Sequence, residues 1–445
     1  MSGIAISKST PARSRGCIGW TSTVCIPGTA RSCWRTPAGI SGKRTTASAG
    51  WSCHRIYRRR ERRSALEGTD LIMEALWDKN DFIGLDRSSW FFCGAEAPVH
   101  RKVLEAVTEY MLARSTGPGG RERNAETEWA CKTNLARLFG GQAESVALMS
   151  NSSEAISMVA QALPMRPGDN VVINNLEFPS GVLPWLALKR QGVEVRVAKH
   201  SNWGMETDAI LDLVDERTRL VMTSHVSYLS GTRIDYVKLY DELRKTNALM
   251  LLDATQSLGV VPVDIRHTDI LVCSSYKWLL STHGAGILAL NPGRSEELVP
   301  TYVGWRSVAG VPGGDRFASY AVHADARRFE LGYPSYPTVY ALERATRLLL
   351  ETGIDRIERH VLALGAQLIE RLSSLGLQVM TPDIPARRAG NISFARGDAE
   401  RIADRLAARN VYVMGGDERV RASIHAFNDS ADIRRLVNLL TVEIE

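Results

Sequence analysis

Four positions combine chemically active residue types with placement near the ends of apolar runs. The turn Asn151–Glu154 follows "SVALMS", Asp253 ends "ALMLLD", and Lys277 comes just after "DILVCSS". Arg421 lies in a fourth run, "VRASIHAF". Because burial disfavours the charged form of a lysine, a lysine at the exit of a core strand tends to lose its proton. Lys277 is therefore a candidate nucleophile.

Three of these positions also have an ordinary structural explanation when each is considered alone. The turn could be a helix N-cap, Asp253 a cap or an ion-pair partner, and Lys277 could extend its amine to solvent. Together, however, they are the parts needed to hold pyridoxal 5′-phosphate. Free backbone N–H groups and hydroxyls at the start of a helix bind phosphate. A carboxylate keeps the ring nitrogen protonated, and a lysine forms a Schiff base.

The elements that must position these residues alternate between strand and helix. Seven apolar runs predict strands: "SVALMS", "NVVINNLE", "VEVRVAKH", "RLVMTSHVS", "ALMLLDAT", "DILVCSS" and "GAGILAL". Such alternation predicts an α/β fold with a largely parallel sheet covered on both faces, whose ligands bind at the carboxyl ends of the strands. The stretch "STGPGGRERNAE" is expected to be a flexible loop. Two long helices, near 336–352 and 355–374, precede a smaller α+β unit with strands "LQVMTP" and "NISFAR" and a last helix capped by Ser430.

Several motifs occur in a fixed order over roughly residues 85 to 445: "SNSSEA", "NLEFPSG", "SHVSYLSGTRID", "LLDATQSLGVVPVD", "CSSYKW", "RRFELG" and "VRASIHAFNDSADIRRLV". In this order they resemble the class V aminotransferase family, the fold-type-I pyridoxal-phosphate enzymes that include cysteine desulfurases and isopenicillin-N epimerase-like proteins. The resemblance implies a large domain over 73–315 with a mainly parallel seven-stranded sheet. It also implies a smaller C-terminal α+β domain over 330–445, and a homodimer with its active sites at the subunit interface.

The resemblance also implies roles for single residues. Lys277 would form the Schiff base and Asp253 would pair with the pyridine nitrogen, which makes these two the catalytic residues. Gln256 would hydrogen-bond the cofactor's phenolic oxygen, and Arg421 would clamp a substrate carboxylate, a bidentate task that suits arginine. Three serines would hold the phosphate: Ser152, Ser153 and Ser274.

The departures from the family pattern bear on the reaction. No cysteine follows Cys273, so the persulfide mechanism of a desulfurase lacks its nucleophile. Phe178 occupies the position of a histidine that stacks on the cofactor, and phenylalanine can stack but cannot transfer protons. Three tyrosines replace a histidine, an asparagine and a threonine of the family: Tyr276, Tyr228 and Tyr333. They indicate an altered substrate pocket or a phenolic acid–base group; alternatively, they only line the dimer interface.

These assignments predict an enzyme that acts at the α- or β-carbon of an amino acid through Lys277. Transamination, epimerisation and elimination all stay open, because the fold does not choose among them. A cysteine desulfurase or cysteine lyase is the alternative enzyme, and a non-catalytic cofactor-binding protein is the alternative from another class. His225, near the end of a predicted strand, is assigned either to the cofactor's ring or to a structural hydrogen bond. No metal site is expected.

Bulk properties exclude several other classes of function. The chain has 445 residues, 44% apolar and 23% charged, with a net charge of +6. Residues 1–63 carry 13 Lys and Arg and one acidic residue, which leaves a net charge of −6 on the rest. A basic surface for nucleic acid is therefore not supported. No apolar stretch approaches the roughly 18 residues of a membrane span. None of the cysteines forms a CxxC pair, and a cytoplasmic location is expected.

The first 72 residues show neither helical nor strand periodicity. Three interpretations stay open for this segment: a non-native extension upstream of Met73, a disordered tail, and a targeting sequence. We expect a non-native or disordered extension, because the glycines and prolines oppose the amphipathic helix of a transit peptide.

Overall fold

Runs of aliphatic residues form the central strands, since a strand buried on both faces need not alternate apolar with polar side chains. Every residue of the strands Leu249–Asp253, Ile270–Ser274 and Gly286–Leu290 is buried. The computed structural model describes residues 72–310, 317 and 319–444. The extension predicted over residues 1–72 lies, apart from Ile72, outside the described residues.

The strands of the described residues are, in chain order, β1 (Ser89–Trp90), β2 (Val146–Met149), β3 (Asn170–Asn174), β4 (Glu194–Ala198), β5 (Thr218–Ser224), β6 (Leu249–Asp253), β7 (Ile270–Ser274), β8 (Gly286–Leu290), β9 (Asn391–Ala395), β10 (Val411–Tyr412), β11 (Met414–Gly416) and β12 (Arg419–Ser423). The α-helices are α1 (Arg101–Ala113), α2 (Pro118–Phe139), α3 (Ser152–Ala162), α4 (Leu183–Ala187), α5 (Thr207–Leu211), α6 (Tyr236–Leu243), α7 (Tyr336–Thr352), α8 (Ile354–Ser374), α9 (Ala399–Ala407) and α10 (Ser430–Glu443). Short 3₁₀ helices, such as Pro179–Gly181 and Ala326–Phe329, lie between them.

Strands β2 to β8 form one seven-stranded sheet in the order β2–β8–β7–β6–β5–β3–β4. Neighbours from β7 to β4 are parallel, whereas β8 runs antiparallel to both β7 and β2. Each of the seven predicted apolar runs overlaps one of these strands, so the predicted α/β fold with a mainly parallel sheet is confirmed. The carboxyl ends of β5, β6 and β7 meet at one edge, the edge at which such sheets bind ligands.

The C-terminal part contributes a second, antiparallel sheet. Strands β9, β11 and β12 pair in the order β11–β12–β9, and the long helices α7 and α8 precede them in the chain. The described residues belong to one compact unit. The division into domains at 73–315 and 330–445 therefore stays a prediction. Among the described residues, no helix has the length and apolarity needed to cross a bilayer.

Helix α2 replaces the loop that was expected for "STGPGGRERNAE". Pro118 takes the first helical position, where its missing N–H costs nothing, and Gly117 adopts φ 62° just before it. Gly120 is needed for close packing, since a Cβ there would lie 2.1 Å from the Ala113 carbonyl oxygen. The loop prediction was wrong because the buried face of this helix is partly polar, with Asn124 and Glu128 among its buried residues.

Two smaller expectations in the C-terminal part also differ from the structure. The N-cap of α10 is Asp429, whose carboxylate accepts from the Asp432 N–H at 2.8 Å, and not Ser430. The Ser430 hydroxyl instead accepts from the Met73 N–H at 3.0 Å. The predicted strand "LQVMTP" contributes only an isolated bridge between Val379 and Phe394.

Candidate active site

Three neighbouring strands end with polar residues at one edge of the sheet. Ser224, Asp253 and Ser274 are the last residues of β5, β6 and β7, and Ser224 lies opposite Asp253 in the strand register. Lys277 follows β7 by three residues. The parallel arrangement thus brings together residues that lie far apart in sequence.

A pocket of about 440 Å³, counting its open mouth, lies at this edge. Nine of the residues predicted for the site line it: Ser152, Ser153, Phe178, Tyr228, Asp253, Gln256, Ser274, Tyr276 and Lys277. Three further hydroxyl residues complete the lining: Ser180, Ser224 and Thr255. The sequence indicated these three residues, because each is a hydroxyl residue near the end of a predicted strand.

The Lys277 amine lies between two aromatic rings, 5.6 Å from the ring centre of Phe178 and 5.7 Å from that of Tyr276. The pKa of Lys277 is lowered to about 8, chiefly by burial and next by the charge of Arg421, against the opposing effect of Asp253. A substantial fraction of the amine is therefore neutral near physiological pH. A neutral amine is a nucleophile and a base.

Asp253 presents its carboxylate to the same pocket. Its Oδ1 accepts a hydrogen bond from the Thr255 N–H at 2.8 Å. Burial raises the pKa of Asp253, while the bonds to Thr255 and the charge of Lys277 oppose the rise. A buried carboxylate of this kind favours a cationic partner, such as a protonated ring nitrogen.

Glu177 is a buried carboxyl group that the sequence did not reveal as part of the site. Its Oε1 accepts from the Ser224 N–H at 2.7 Å and from the Asn174 amide, and its Oε2 accepts from the Ser224 hydroxyl. Burial raises the pKa of Glu177 to about 7, the bonds from Ser224 oppose the rise, and Asp253 adds to it. Glu177 thereby holds a hydroxyl that lines the pocket.

The hydroxyls at one end of the pocket come in two pairs. Ser152 Oγ and Ser274 Oγ are 2.7 Å apart, and Ser153 Oγ and Ser180 Oγ are also 2.7 Å apart. Ser152 and Ser153 are the first residues of α3, whose N-cap is Asn151. The first N–H groups of a helix have no partner within the helix, and they carry partial positive charge. These features together form a cradle for an anion such as phosphate.

Arg421 is fully buried on β12 beside Tyr228. Its Nη1 donates to the Tyr228 carbonyl oxygen at 2.8 Å, while its Nε has no hydrogen-bond partner in the part of the chain that the structure describes. The pKa of Arg421 is lowered to about 9, chiefly by burial and next by the charge of the neighbouring Arg419. An anion bound at Arg421 would offset both of these costs.

Three of the predicted site residues do not line the pocket: Arg421, described above, His225 and Tyr333. His225 is buried, accepts from the Arg233 Nε at 3.1 Å through its Nε2, and packs edge-on against Tyr236. Tyr333 is 55% exposed, accepts from Arg121 at 2.9 Å and contacts the ring of Trp305. The roles assigned to His225 and Tyr333 stay predictions.

Comparison with known proteins identifies the family. The sequence model of the class V aminotransferases matches residues 89–436. A probable cysteine desulfurase of Methanothermobacter thermautotrophicus is 30% identical over 386 residues, which cover 80% of this chain and 93% of that protein. Isopenicillin N epimerase of Streptomyces clavuligerus is 30% identical over 222 residues, which cover 48% of this chain and 56% of that protein. The apo structure of a cysteine desulfurase from Thermococcus onnurineus NA1 superimposes with a TM-score of 0.76 at 22% identity, covering 82% of this chain and 97% of that one.

A parallel sheet with a lysine, a carboxylate and a helix N-terminus at its carboxyl edge defines a pyridoxal-phosphate enzyme of fold type I. The chain belongs to the class V aminotransferase family. The predicted family, fold and dependence on pyridoxal phosphate are thereby confirmed, as is an enzyme of amino-acid chemistry.

The residues present also fit this cofactor on the structure's own terms. The hydroxyl pairs at the start of α3 suit its phosphate, and the buried carboxylate of Asp253 suits its ring nitrogen. The Lys277 amine, with its pKa near 8, suits its aldehyde. No described residue of the pocket contradicts this assignment.

Proposed function

We propose that this chain binds an amino acid through its carboxylate at Arg421 and moves the proton of the α-carbon with the Lys277 amine. The observation that carries the proposal is the placement of a buried amine with a pKa lowered to about 8 in the same pocket as Asp253. An amine with this pKa can accept and return a proton near neutral pH.

We assign the cofactor's contacts as follows. The hydroxyls of Ser152, Ser153 and Ser274 hold the phosphate, and Phe178 covers one face of the ring. Asp253 pairs with the ring nitrogen and Gln256 donates to the phenolic oxygen. When bound, pyridoxal phosphate supplies an electron sink for the charge that develops at the substrate's α-carbon.

Arg421 is the best candidate for binding the substrate carboxylate. Its Nε lacks a hydrogen-bond partner among the described residues, its charge is buried, and both features favour a bidentate anion. Tyr228 and Tyr276 line the pocket close to Lys277, so we assign them to the substrate's side chain or to proton transfer.

A cysteine lyase is the second candidate, because relatives such as the Methanothermobacter protein are named cysteine desulfurases. A desulfurase that uses a persulfide needs a cysteine in the C-terminal third, and this sequence has none after Cys273. A lyase needs no such cysteine. Transamination, epimerisation and elimination are therefore the outcomes to separate by experiment.

A product screen tests the proposal. The reconstituted protein is incubated with single amino acids, and formation of keto acid, release of sulfide and inversion at the α-carbon are measured side by side. Arg421→Lys should raise KM for the accepted substrate about tenfold or more with a smaller change in kcat, since the bidentate contact is lost. The exposed Arg266→Lys serves as the control. An unchanged KM in Arg421→Lys would remove Arg421 from the substrate site.

We further propose that the chain forms a homodimer in the cytoplasm. The exposed rings of Trp305 and Tyr333 lie in contact, with a centre-to-centre distance of 4.9 Å, and a partner subunit would cover them. The cysteines of the described residues, Cys93, Cys131 and Cys273, are all free and buried, which suits a reducing compartment.

A further inference from the structure

The side-chain amide of Gln256 is engaged at both of its ends. Its Oε1 accepts from the Trp278 indole N–H at 2.9 Å and from the Asn391 amide at 2.9 Å. Its Nε2 donates to the Gly94 carbonyl oxygen at 2.9 Å. All four residues come from different parts of the chain, and Gln256 also lines the cofactor pocket.

These partners permit only one orientation of the Gln256 amide. An indole N–H can only donate, and a backbone carbonyl can only accept. Turning the amide over would set its NH₂ group against the Trp278 donor and its oxygen against the Gly94 oxygen. Asn391 is held in turn, because its Oδ1 accepts from the Ser423 hydroxyl at 2.7 Å.

The Trp278 indole is itself held rigidly. Its side chain is fully buried, and a Cβ at Gly390 would lie 2.4 Å from the ring. The Ala426 N–H donates to Nδ1 of His425, so Nε2 of that ring carries the proton and donates to the Trp278 carbonyl oxygen at 3.2 Å. Trp278 directly follows Lys277, but the bond from His425 reaches its backbone carbonyl oxygen and does not depend on the indole ring.

We propose that Trp278 and Asn391 are positioning residues that hold the Gln256 amide with its second N–H facing the cofactor's phenolic oxygen. This inference rests on the proposed function, since it needs pyridoxal phosphate in the pocket. It extends the site into the C-terminal sheet, because Asn391 begins β9. Trp278 and Asn391 would not contact the cofactor and would act only through Gln256.

The hydrogen bonds by which Trp278 and Asn391 hold the Gln256 amide are called the clamp below. The clamp has a measurable consequence for the bound cofactor. A hydrogen bond to the ionised phenolic oxygen makes that oxygen a weaker base. The proton shared between the phenolic oxygen and the Lys277 nitrogen is then released at a lower pH. Loss of the hydrogen bond from Gln256 should therefore raise the pH midpoint of this titration. A flipped Gln256 amide should have the same effect.

The test is a pH titration of the visible absorption of the reconstituted protein. Gln256→Leu should raise the midpoint by about one pH unit, the effect of one hydrogen bond to a charged oxygen. Trp278→Phe and Asn391→Ala should each raise it by a smaller amount. The double variant Gln256→Leu/Trp278→Phe should titrate like Gln256→Leu alone, because Trp278 acts only through Gln256. Trp185→Phe is the matched control, since it changes another fully buried tryptophan whose indole N–H has no partner among the described residues.

The possible outcomes separate the inference from the proposed function. The clamp is refuted if Trp278→Phe and Asn391→Ala titrate at the wild-type midpoint while the midpoint of Gln256→Leu is raised. It is also refuted if the midpoint of the double variant is raised further than that of Gln256→Leu. If Trp278→Phe does not fold, Asn391→Ala decides in its place, alone and combined with Gln256→Leu. A wild-type protein that shows no visible band after reconstitution would contradict the proposed function, and the clamp with it.

Discussion

Lys277, Glu177 and Arg421 are buried side chains whose pKa values are all displaced toward the neutral form. In each case burial is the largest cause; a neighbouring arginine comes second for Lys277 and Arg421, whereas for Glu177 hydrogen bonds from Ser224 come next and oppose the shift. The site therefore disfavours the charged forms of these side chains until a ligand of opposite charge binds. Phosphate, a protonated ring nitrogen and a substrate carboxylate are the groups that would do so.

The raised pKa of Glu177 predicts a pH dependence of folding. Its pKa rises from 4.5 to about 7, so the folded protein holds this proton more tightly than the unfolded chain does. The resulting stabilisation is complete below about 4.5 and is lost as pH rises to about 7. Relative to Glu177→Gln, the apoprotein should lose about 3 kcal/mol of unfolding free energy across this window. Asp253 titrates in both proteins, and its charge contributes to the raised pKa of Glu177, so the difference reports Glu177 together with its coupling to Asp253. If the difference in unfolding free energy between the wild type and Glu177→Gln stays constant from pH 4.5 to 7, the pKa of Glu177 is not raised.

The elements of the sheet were largely predictable from sequence, and the reason is physical. Strands buried on both faces are continuous apolar runs, and each ended in a turn whose polar residues could be recognised. Helix α2 was missed because its buried face carries Asn124 and Glu128, so apolar periodicity gave no signal. Glu177 was missed because a sequence does not reveal that a carboxyl group is fully buried.

The contact between β8 and the start of α3 can be tested directly. Gly286 begins β8, and a Cβ there would lie 2.2 Å from the Asn151 carbonyl carbon. Gly286→Ala should displace the helix N-terminus, weaken binding of pyridoxal phosphate about tenfold, and destabilise the protein by about 1–3 kcal/mol. Fluorescence titration with the cofactor and chemical denaturation measure the two effects. Gly397→Ala is the control, because no atom of the described residues, its two chain neighbours aside, lies within 4 Å of a Cβ at that glycine. If the two variants bind the cofactor equally well, the helix N-terminus does not hold the phosphate.

At the scale of the whole molecule, the site depends on contacts between distant parts of the chain. Gln256 was predicted from its motif, but its partners Gly94 and Asn391 lie 162 and 135 residues away in sequence. Such long-range contacts leave no local pattern. The sequence therefore predicted which residues face the pocket better than it predicted what holds them in place.

The proposed dimer gives a further prediction at this scale. Trp305 is 56% exposed and packs against Tyr333, a pairing that suits the centre of a subunit interface. Trp305→Arg should weaken dimerisation at least tenfold in sedimentation experiments, since buried aromatic anchors contribute most of the binding free energy. The exposed Ile384→Arg provides a comparison. An unchanged dissociation constant in Trp305→Arg would place the interface elsewhere.

The most direct measurement for the central claim is the site of covalent attachment of the cofactor. The reconstituted protein is reduced with borohydride, digested and analysed by mass spectrometry. We predict that the cofactor's mass appears on the peptide that contains Lys277, and that Lys277→Ala shows neither this peptide nor the visible absorption band. A label on another lysine, or no label in a correctly folded wild-type protein, would contradict the account.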